Sequence, residues 1–183
     1  ILAGRDLQAG GAWLGVDRQR RFGVITNFRE MTRTTPGAPS RGELIPGYLG
    51  SRAGAGEYLA SLGQRAERYA GFSLLLGDGD ELWYASNRSD PFARRLEPGV
   101  YGLSNHFLDT PWPKLLRVRA GMQAAMAEGA AEVFAERLFA ALEDRKPAEL
   151  HDLPDTGVPP EWELRLSSPF IVHPEYGTRC ATV

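Results

Sequence analysis

The sequence predicts an α+β fold in which helices pack on an antiparallel sheet. Short apolar and β-branched runs come in pairs joined by polar turns, as in antiparallel hairpins. Segments with helical periodicity come in adjacent pairs and do not alternate with strands, which excludes a Rossmann pattern. The 183 residues, of which 43% are hydrophobic and 24% charged, are sufficient for one core, and no repeat or long linker divides them. We therefore expect a single domain over residues 1–183.

The first predicted hairpin follows the turn signal Gly10-Gly11. Residues 13–16 and 22–28 are short stretches of apolar and aromatic residues, and residues 19–21 form the polar turn between them. The tightest group of basic residues, Arg18, Arg20 and Arg21, lies here and is short enough to be a solvated turn.

Two helices are predicted after a loop at residues 30–39. Ser40 and Glu43 have the spacing of a capping box, which opens a helix that runs to about Leu49. Gly54 and Gly56 break this helix. Residues 57–68 form the second helix, because Leu59, Leu62 and Ala66 fall on one side of it.

The second predicted hairpin joins residues 71–76 to residues 82–86. The connecting Gly77-Asp78-Gly79-Asp80 contains Asp-Gly, a strong hairpin signal between apolar runs. A further short strand is predicted at residues 100–103.

The second half of the chain is predicted to be mainly helical. Pro111 and Pro113 suit a helix start, because the first turn does not need their missing N–H groups. Helices are expected at residues 114–128 and 130–144, and a single helical turn at residues 162–166 follows a proline-rich loop. Residues 171–172 and 179–183 are predicted strands.

Composition also limits the function. The net charge of −2 and the scattered basic residues give no reason to bind nucleic acid, and no apolar run reaches the roughly 20 residues that a transmembrane helix needs. The single cysteine, Cys180, fits a reducing compartment, so we expect a cytoplasmic protein. No cofactor or metal is expected, since Asp78 and Asp80 alone make a poor calcium site. No pattern predicts an oligomeric state.

Several stretches, in this order and spacing, resemble the NRDE family, which is the transport and Golgi organisation protein 2 family. The stretches are Leu2-Ala3-Gly4-Arg5-Asp6, Gly11-Ala12-Trp13-Leu14-Gly15, Thr26-Asn27-Phe28-Arg29, Ser40-Arg41-Gly42-Glu43-Leu44, Tyr69-Ala70-Gly71-Phe72-Ser73-Leu74-Leu75, Ser86-Asn87-Arg88, Gly102-Leu103-Ser104-Asn105, Asp109-Thr110-Pro111-Trp112-Pro113-Lys114 and Tyr176-Gly177-Thr178-Arg179-Cys180-Ala181-Thr182-Val183. Each motif is weak alone, but their combination over the whole chain is specific.

The resemblance implies an N-terminal-nucleophile-hydrolase-like fold, a four-layer αββα sandwich with two antiparallel sheets. It also implies an amidohydrolase acting on a small acyl amide, whose N-terminal cysteine uses its own α-amino group, of pKa about 7.7–8.0, as the base. The resemblance implies a chain that begins with Met-Cys and carries an Asn-Arg-Asp-Glu motif. This sequence has neither. We therefore expect a piece truncated at both ends that is inactive alone.

The same resemblance supports a second interpretation, a non-enzymatic binding or trafficking protein. Relatives suggest secretory-pathway organisation and lipid or haem handling, so a small acyl or lipid-like ligand is the expected partner. No haem motif with paired cysteines is present.

Three residues are the catalytic candidates that the resemblance implies. Asn27 would donate to an oxyanion, as an asparagine does in the related bile-salt and penicillin V hydrolases, or would bond local backbone at a strand end. Asn105 would be a second amide donor or a turn residue. Arg179 would hold a carboxylate or steady the thiolate, or would form a structural ion pair.

Substrate-binding candidates are Arg5, Asp6, Arg29 and Trp112. Arg5 and Asp6 form either a buried pair at the pocket mouth or a surface turn, and Trp112 also fits core packing. Cys180 is expected to be a buried apolar filler. Ser104, His106 and Asp109 are too close in sequence to suggest a triad.

Overall fold

The computed structural model describes residues 1–31, 37–128 and 131–183. They form two compact units. The first unit comprises residues 1–99 and 103–108, and the second comprises residues 100–102 and 109–183. The single domain expected from the sequence stays a prediction.

The first unit is built on an antiparallel sheet in which each strand pairs with the next one along the chain. The strands are β1 (Leu2–Ala3), β2 (Leu14–Val16), β3 (Arg21–Asn27), β4 (Phe72–Asp78), β5 (Glu81–Ser86) and β6 (Ala93–Leu96). Between β3 and β4 lie α1 (Leu44–Gly50) and α2 (Ala55–Gly63), with short 3₁₀ turns at Arg41–Glu43 and Ala66–Arg68. Both predicted hairpins and both predicted helices are confirmed.

The helical layer lies directly on one face of this sheet, because glycines remove the side chains between them. A Cβ on Gly23 would lie 2.8 Å from Cδ1 of Ile45 in α1, and one on Gly56 in α2 would lie 2.8 Å from the Trp83 ring of β5. The buried core fills this interface. Its largest fully buried members are Tyr48, Phe72, Leu44, Ile45, Leu59, Leu62, Leu74 and Leu76.

Arg21 corrects the prediction of a solvated basic turn. Its side chain is 12% exposed, and its Nε donates to Oδ2 of Asp17 over 2.8 Å. The guanidinium also donates to the carbonyl oxygens of Leu49 (2.9 Å) and Ser51 (3.1 Å). These carbonyls lie at the C-terminus of α1, where helical carbonyl groups lack partners within the helix. The β2–β3 turn is therefore fastened to the end of α1.

Asp17 is ionised in this pair. Burial raises the pKa of its carboxyl, but hydrogen bonds from the backbone and side chain of Arg21 and the backbone of Gln19 outweigh burial, and the pKa lies below its ordinary value. The pair is near the surface but largely covered, since the side chains of Asp17 and Arg21 are 4% and 12% exposed.

The second unit contains α3 (Pro113–Glu128), α4 (Ala131–Leu142) and α5 (Pro160–Arg165), with a 3₁₀ turn at Leu150–Asp152. A Cβ on Gly121 of α3 would lie 2.8 Å from Cβ of Ala141, so this glycine lets α3 and α4 pack closely. The helices expected from the sequence are confirmed. Residue 130, the predicted start of α4, lies outside the described residues, as do residues 32–36 of the predicted loop.

Three predicted strands are wrong. Residues 100–103, 171–172 and 179–183 form no strand, and β6 appears at Ala93–Leu96 instead. β6 forms because it pairs with β5 along its length, whereas near residue 171 the backbone closes a local loop in which the N–H of Thr178 donates to the carbonyl of Ile171. The α+β class with an antiparallel sheet is confirmed. The second sheet of a four-layer sandwich stays a prediction, since the strands of the described residues form one sheet.

Candidate functional site

One end of the sheet carries several of the candidate residues of the first unit. Neighbouring strands of an antiparallel sheet run in opposite directions. The C-terminal ends of β1, β3 and β5 therefore lie beside the N-terminal ends of β2 and β4, at the same end of the sheet. Asp6, Trp13, Asn27, Gly71 and Asn87 follow or precede these strands and therefore share this end. Because strands lie about 4.8 Å apart, the polar ends form a row rather than a single point.

The side chain of Asn105 contacts the backbone of Asn27 at this end. Nδ2 of Asn105 donates to the carbonyl oxygen of Asn27 over 3.2 Å, and the N–H of Arg29 donates to the carbonyl oxygen of Asn105 over 2.6 Å. Two hydrogen bonds, one from the Asn105 side chain and one to its carbonyl, therefore join Asn105 to residues 27–29. The Asn27 side chain is exposed and its amide has no hydrogen-bond partner among the described residues.

An aromatic cluster stands beside the two asparagines. The Phe28 ring lies 4.5 Å from the His106 ring and 4.8 Å from the Phe107 ring, centroid to centroid. Burial lowers the pKa of His106, and the positive charge of Arg29 lowers it further. At neutral pH His106 is therefore a neutral ring that stacks on Phe28.

Glu30 interacts with two arginines at the same end. Glu30 accepts two hydrogen bonds from Arg88, of 2.8 Å from Nε and 2.6 Å from Nη2. Nη1 of Arg41 donates to the Gly71 carbonyl over 2.8 Å, and its guanidinium lies 5.9 Å from the Trp13 ring. Burial lowers the pKa of Arg41, and Glu30 opposes this effect.

Hydroxyl groups hold residues 105–108 against the sheet. Oγ of Ser73 donates to the carbonyl of His106 over 2.8 Å, and the Tyr84 hydroxyl accepts from the N–H of Leu108 over 3.2 Å. Oγ1 of Thr26 is buried, and no partner is found for it in the described part of the chain. Sequence reasoning missed Ser73 and Tyr84, although a serine within the apolar run of β4 is a signal of a specific bond.

Asn87 is a second residue that sequence reasoning missed, and its role is structural. Its Oδ1 accepts from the N–H of Phe72 over 2.9 Å, and its Nδ2 donates to the carbonyls of Ala66 (3.0 Å) and Tyr69 (3.1 Å). One side chain therefore joins the end of β5, the start of β4 and the turn after α2.

Arg5 and Asp6 form a surface turn. Oδ1 of Asp6 accepts from the N–H groups of Gln8 (2.8 Å) and Ala9 (3.3 Å), which is an Asx turn. Arg5 is exposed and makes no ion pair with Asp6. Both residues follow β1, two strand spacings or about 10 Å from Asn27 across the sheet.

The remaining candidates lie in the second unit. Arg179 is exposed and belongs to no helix or strand. Trp112 is 7% exposed just before α3, with Nζ of Lys114 5.7 Å from its ring. Cys180 is exposed, so the prediction of a buried filler is wrong, because the strand that would have buried it does not form. Asp109 accepts from the N–H of Gly102 over 2.8 Å and pairs with Arg119, so its carboxylate has a structural role.

The described residues contain no group of three or more histidine, cysteine or acidic side chains that could hold a metal ion. None of the helices described is both long enough and apolar enough to cross a membrane.

Comparison with known proteins identifies the family. The model of the Transport and Golgi organisation 2 family matches residues 1–183. A Mus musculus protein, "Transport and Golgi organization 2 homolog", is 39% identical over 123 residues, which are 63% of this chain and 44% of that protein. Two proteins called "Transport and Golgi organization protein 2 homolog" match 100% of this chain and 71% of their own length, with 30% identity in Bos taurus and 31% in Homo sapiens. The chain spans part of the length of each relative and belongs to the Transport and Golgi organisation 2 family.

Proposed function

We propose that this chain forms the acyl-binding end of an N-terminal-nucleophile-type amidohydrolase. The observation that carries the proposal is the contact between Asn27 and Asn105, which come from positions 78 residues apart. An amide N–H aimed at a developing oxyanion stabilises the transition state, typically by about 3 kcal/mol. The Asn27 amide has no partner in the described part of the chain, and Nδ2 of Asn105 carries a second N–H.

The rigidity of this end supports the proposal. Oxyanion donors work when they are fixed before the reaction, so that no reorganisation is needed. Asn105 is held by two hydrogen bonds to residues 27–29, and the following segment is held by Ser73 and Tyr84. An acyl group would lie against the Phe28 and His106 rings.

The nucleophile in this proposal is the N-terminal cysteine that the family resemblance implies. Cys180 does not suit the role, since it has no free α-amino group of its own. Arg179 is proposed to hold the substrate carboxylate or the thiolate, and Arg5, Asp6, Arg29 and Trp112 are proposed substrate contacts. The cytoplasmic location that a single cysteine favours is part of the same proposal.

The test uses the intact family protein that contains this segment, with its own N-terminus. It measures hydrolysis of chemically varied acyl amides and labelling of cysteine by an electrophilic probe. Asn27→Ala is expected to lower kcat/KM about 100-fold, from loss of one oxyanion donor. Its melting temperature should not change, because the Asn27 side chain is exposed.

Gln64→Ala is the matched control, since it removes an exposed amide side chain on the turn after α2. Its kcat/KM should equal that of the parent. Absence of turnover across the amide panel, together with absence of cysteine labelling, would refute the hydrolase.

A non-enzymatic binding or trafficking protein is the second candidate, and one contact favours it. One N–H of the Asn105 amide is already engaged by the backbone of Asn27, as a structural asparagine would be. The names of the relatives refer to transport and Golgi organisation. In this case a lipid-like ligand should co-purify with the intact protein and be detectable by mass spectrometry, and haem should change the absorbance in a titration. A protein free of lipid, with a flat haem titration, would contradict it.

A further inference from the structure

The second unit contains a pocket that the proposed hydrolase does not use. It has a volume of about 360 Å³, within the usual range for small-molecule sites. Segments 145–147 and 164–172 line it. Its apolar surface comes from Pro147, Leu164, Phe170 and Val172, and its polar groups are Arg145, Arg165 and Ser168.

The two arginines of this pocket carry uncompensated charge. The Arg145 guanidinium lies 5.1 Å from the Phe170 ring, and that of Arg165 lies 5.2 Å from the Trp162 ring. Neither forms an ion pair with a carboxylate in the described part of the chain. Among the described residues, the Arg165 guanidinium contacts Nε2 of His173, at 3.3 Å, and an imidazole has no negative charge to balance it.

The nearest acidic residue along the chain, Asp144, is already engaged. Its Oδ2 accepts from Nε of Arg117 over 2.7 Å, and its Oδ1 accepts from the N–H of Lys146 over 2.8 Å. Asp144 therefore cannot neutralise Arg145, although the two residues are adjacent. The positive charge of Arg145 and Arg165 is therefore available to a ligand.

The walls of the pocket are fixed by hydrogen bonds between its two segments. The N–H of Phe170 donates to the carbonyl of Asp144 over 2.9 Å, and the N–H of Ala148 donates to Oγ of Ser167 over 2.8 Å. Ser168 is 5% exposed, and its Oγ donates to the Phe170 carbonyl over 2.9 Å. A site with this preformed geometry loses little entropy when a ligand binds.

We propose that this pocket binds a small monocarboxylate with an aliphatic tail. The planar guanidinium groups match the geometry of a carboxylate, and a guanidinium releases bound water more easily than an ammonium group does. The tail lies on Leu164, Phe170 and Val172, which would otherwise leave apolar area in water. The proposal concerns the second unit alone and does not depend on the proposed hydrolase.

The test is calorimetric titration of this chain with sodium octanoate. Arg145→Gln and Arg165→Gln should each weaken octanoate binding about tenfold, since each removes one charged hydrogen-bond donor. Arg137→Gln is the matched control: this exposed arginine of α4 pairs with Glu128, does not line the pocket, and should not alter binding. Circular dichroism and the melting temperature establish that each variant is folded.

Two further ligands distinguish the contribution of the carboxylate charge from that of the aliphatic tail. Acetate, which lacks the tail, should bind at least about tenfold more weakly than octanoate, and octylamine, which has the tail and the opposite charge, should not bind. Octanoate should also change the tryptophan fluorescence, because it draws Arg165 away from the Trp162 ring. Trp162→Phe should remove this change while the heat of binding persists.

Each alternative outcome counts against the proposal. Equal binding of octylamine would mean an apolar surface without charge recognition. Unchanged affinity in both arginine variants would place the ligand elsewhere, and no saturation by octanoate up to about 10 mM would mean that no site exists.

Discussion

The two units of this chain are stabilised in different ways. In the first unit, α1 and α2 bury a continuous apolar core on the sheet, with Ile45, Tyr48 and Leu62 inaccessible to solvent. In the second unit, α3 leaves Leu116 (40%) and Met126 (53%) exposed, and hydrogen bonds join the chain segments at residues such as Asp144. The first unit therefore has a continuous apolar core, and we expect directional polar contacts to contribute a larger share of the stability of the second unit.

The sharpest test of this contrast exchanges large apolar residues for alanine in both units. Leu62→Ala in α2 removes a fully buried side chain and should lower the free energy of unfolding by about 3 kcal/mol, from lost burial and the cavity left behind. Met126→Ala in α3 should change it by less than about 0.5 kcal/mol, because that side chain is half in water already. Urea denaturation followed by circular dichroism measures both. Equal losses in the two variants would contradict the contrast.

The second prediction concerns the buried ion pair of the first unit. Asp17→Asn leaves Arg21 without its carboxylate in a site that is nearly closed to water, and should cost about 3 kcal/mol. The pKa of Asp17 is lowered in the folded state, so its stabilisation is present above the ordinary value of 3.8 and is lost as the pH falls through the lower folded value. The parent should therefore lose stability between pH 4 and about pH 2 more steeply than the variant.

Asp80→Asn is the control for this acid dependence. Asp80 lies in the exposed β4–β5 turn and makes no ion pair in the described part of the chain. Thermal unfolding over the same pH range should give the parental slope. If Asp17→Asn also retains that slope, the pair does not account for the acid sensitivity.

Sequence reasoning predicted elements well and long-range contacts poorly, and the cause is physical. The hairpins and helices follow from local periodicity, so the pairing of β4 with β5 and the helical segment that follows Ser40 were accessible. The hydrogen bonds of Arg21 were not predicted because its carbonyl partners lie 28 and 30 residues later, at the end of α1. The predicted strand at residues 179–183 failed because β-propensity has an effect only where a neighbouring strand is available for pairing.

The candidate site also stays a prediction, and its long-range contacts were not accessible from local patterns. The resemblance brought out Asn27 and Asn105, which do meet, yet no local pattern could show that Ser73 would bind the carbonyl of His106, 33 residues later. Arg5 and Asp6 were left between a buried pair and a turn. In the structure Oδ1 of Asp6 accepts from the N–H of Gln8, so Asp6 lies in a turn, and its role in a site stays a prediction.

The smallest expected effect concerns the ion pair of Asp144 and Arg117 in the second unit. This partly exposed pair should contribute more to stability than an ordinary surface pair. Asp144→Asn removes the charge that Arg117 binds, with both side chains about one-third exposed, and should cost about 1 kcal/mol. Glu128→Gln, which breaks the more exposed pair with Arg137, should cost less than about 0.5 kcal/mol. Added salt should reduce the difference between the two, since screening weakens exposed charges. If Asp144→Asn costs no more than Glu128→Gln in urea denaturation, the Asp144–Arg117 pair does not stabilise the second unit. The difference between the two units must then have another basis.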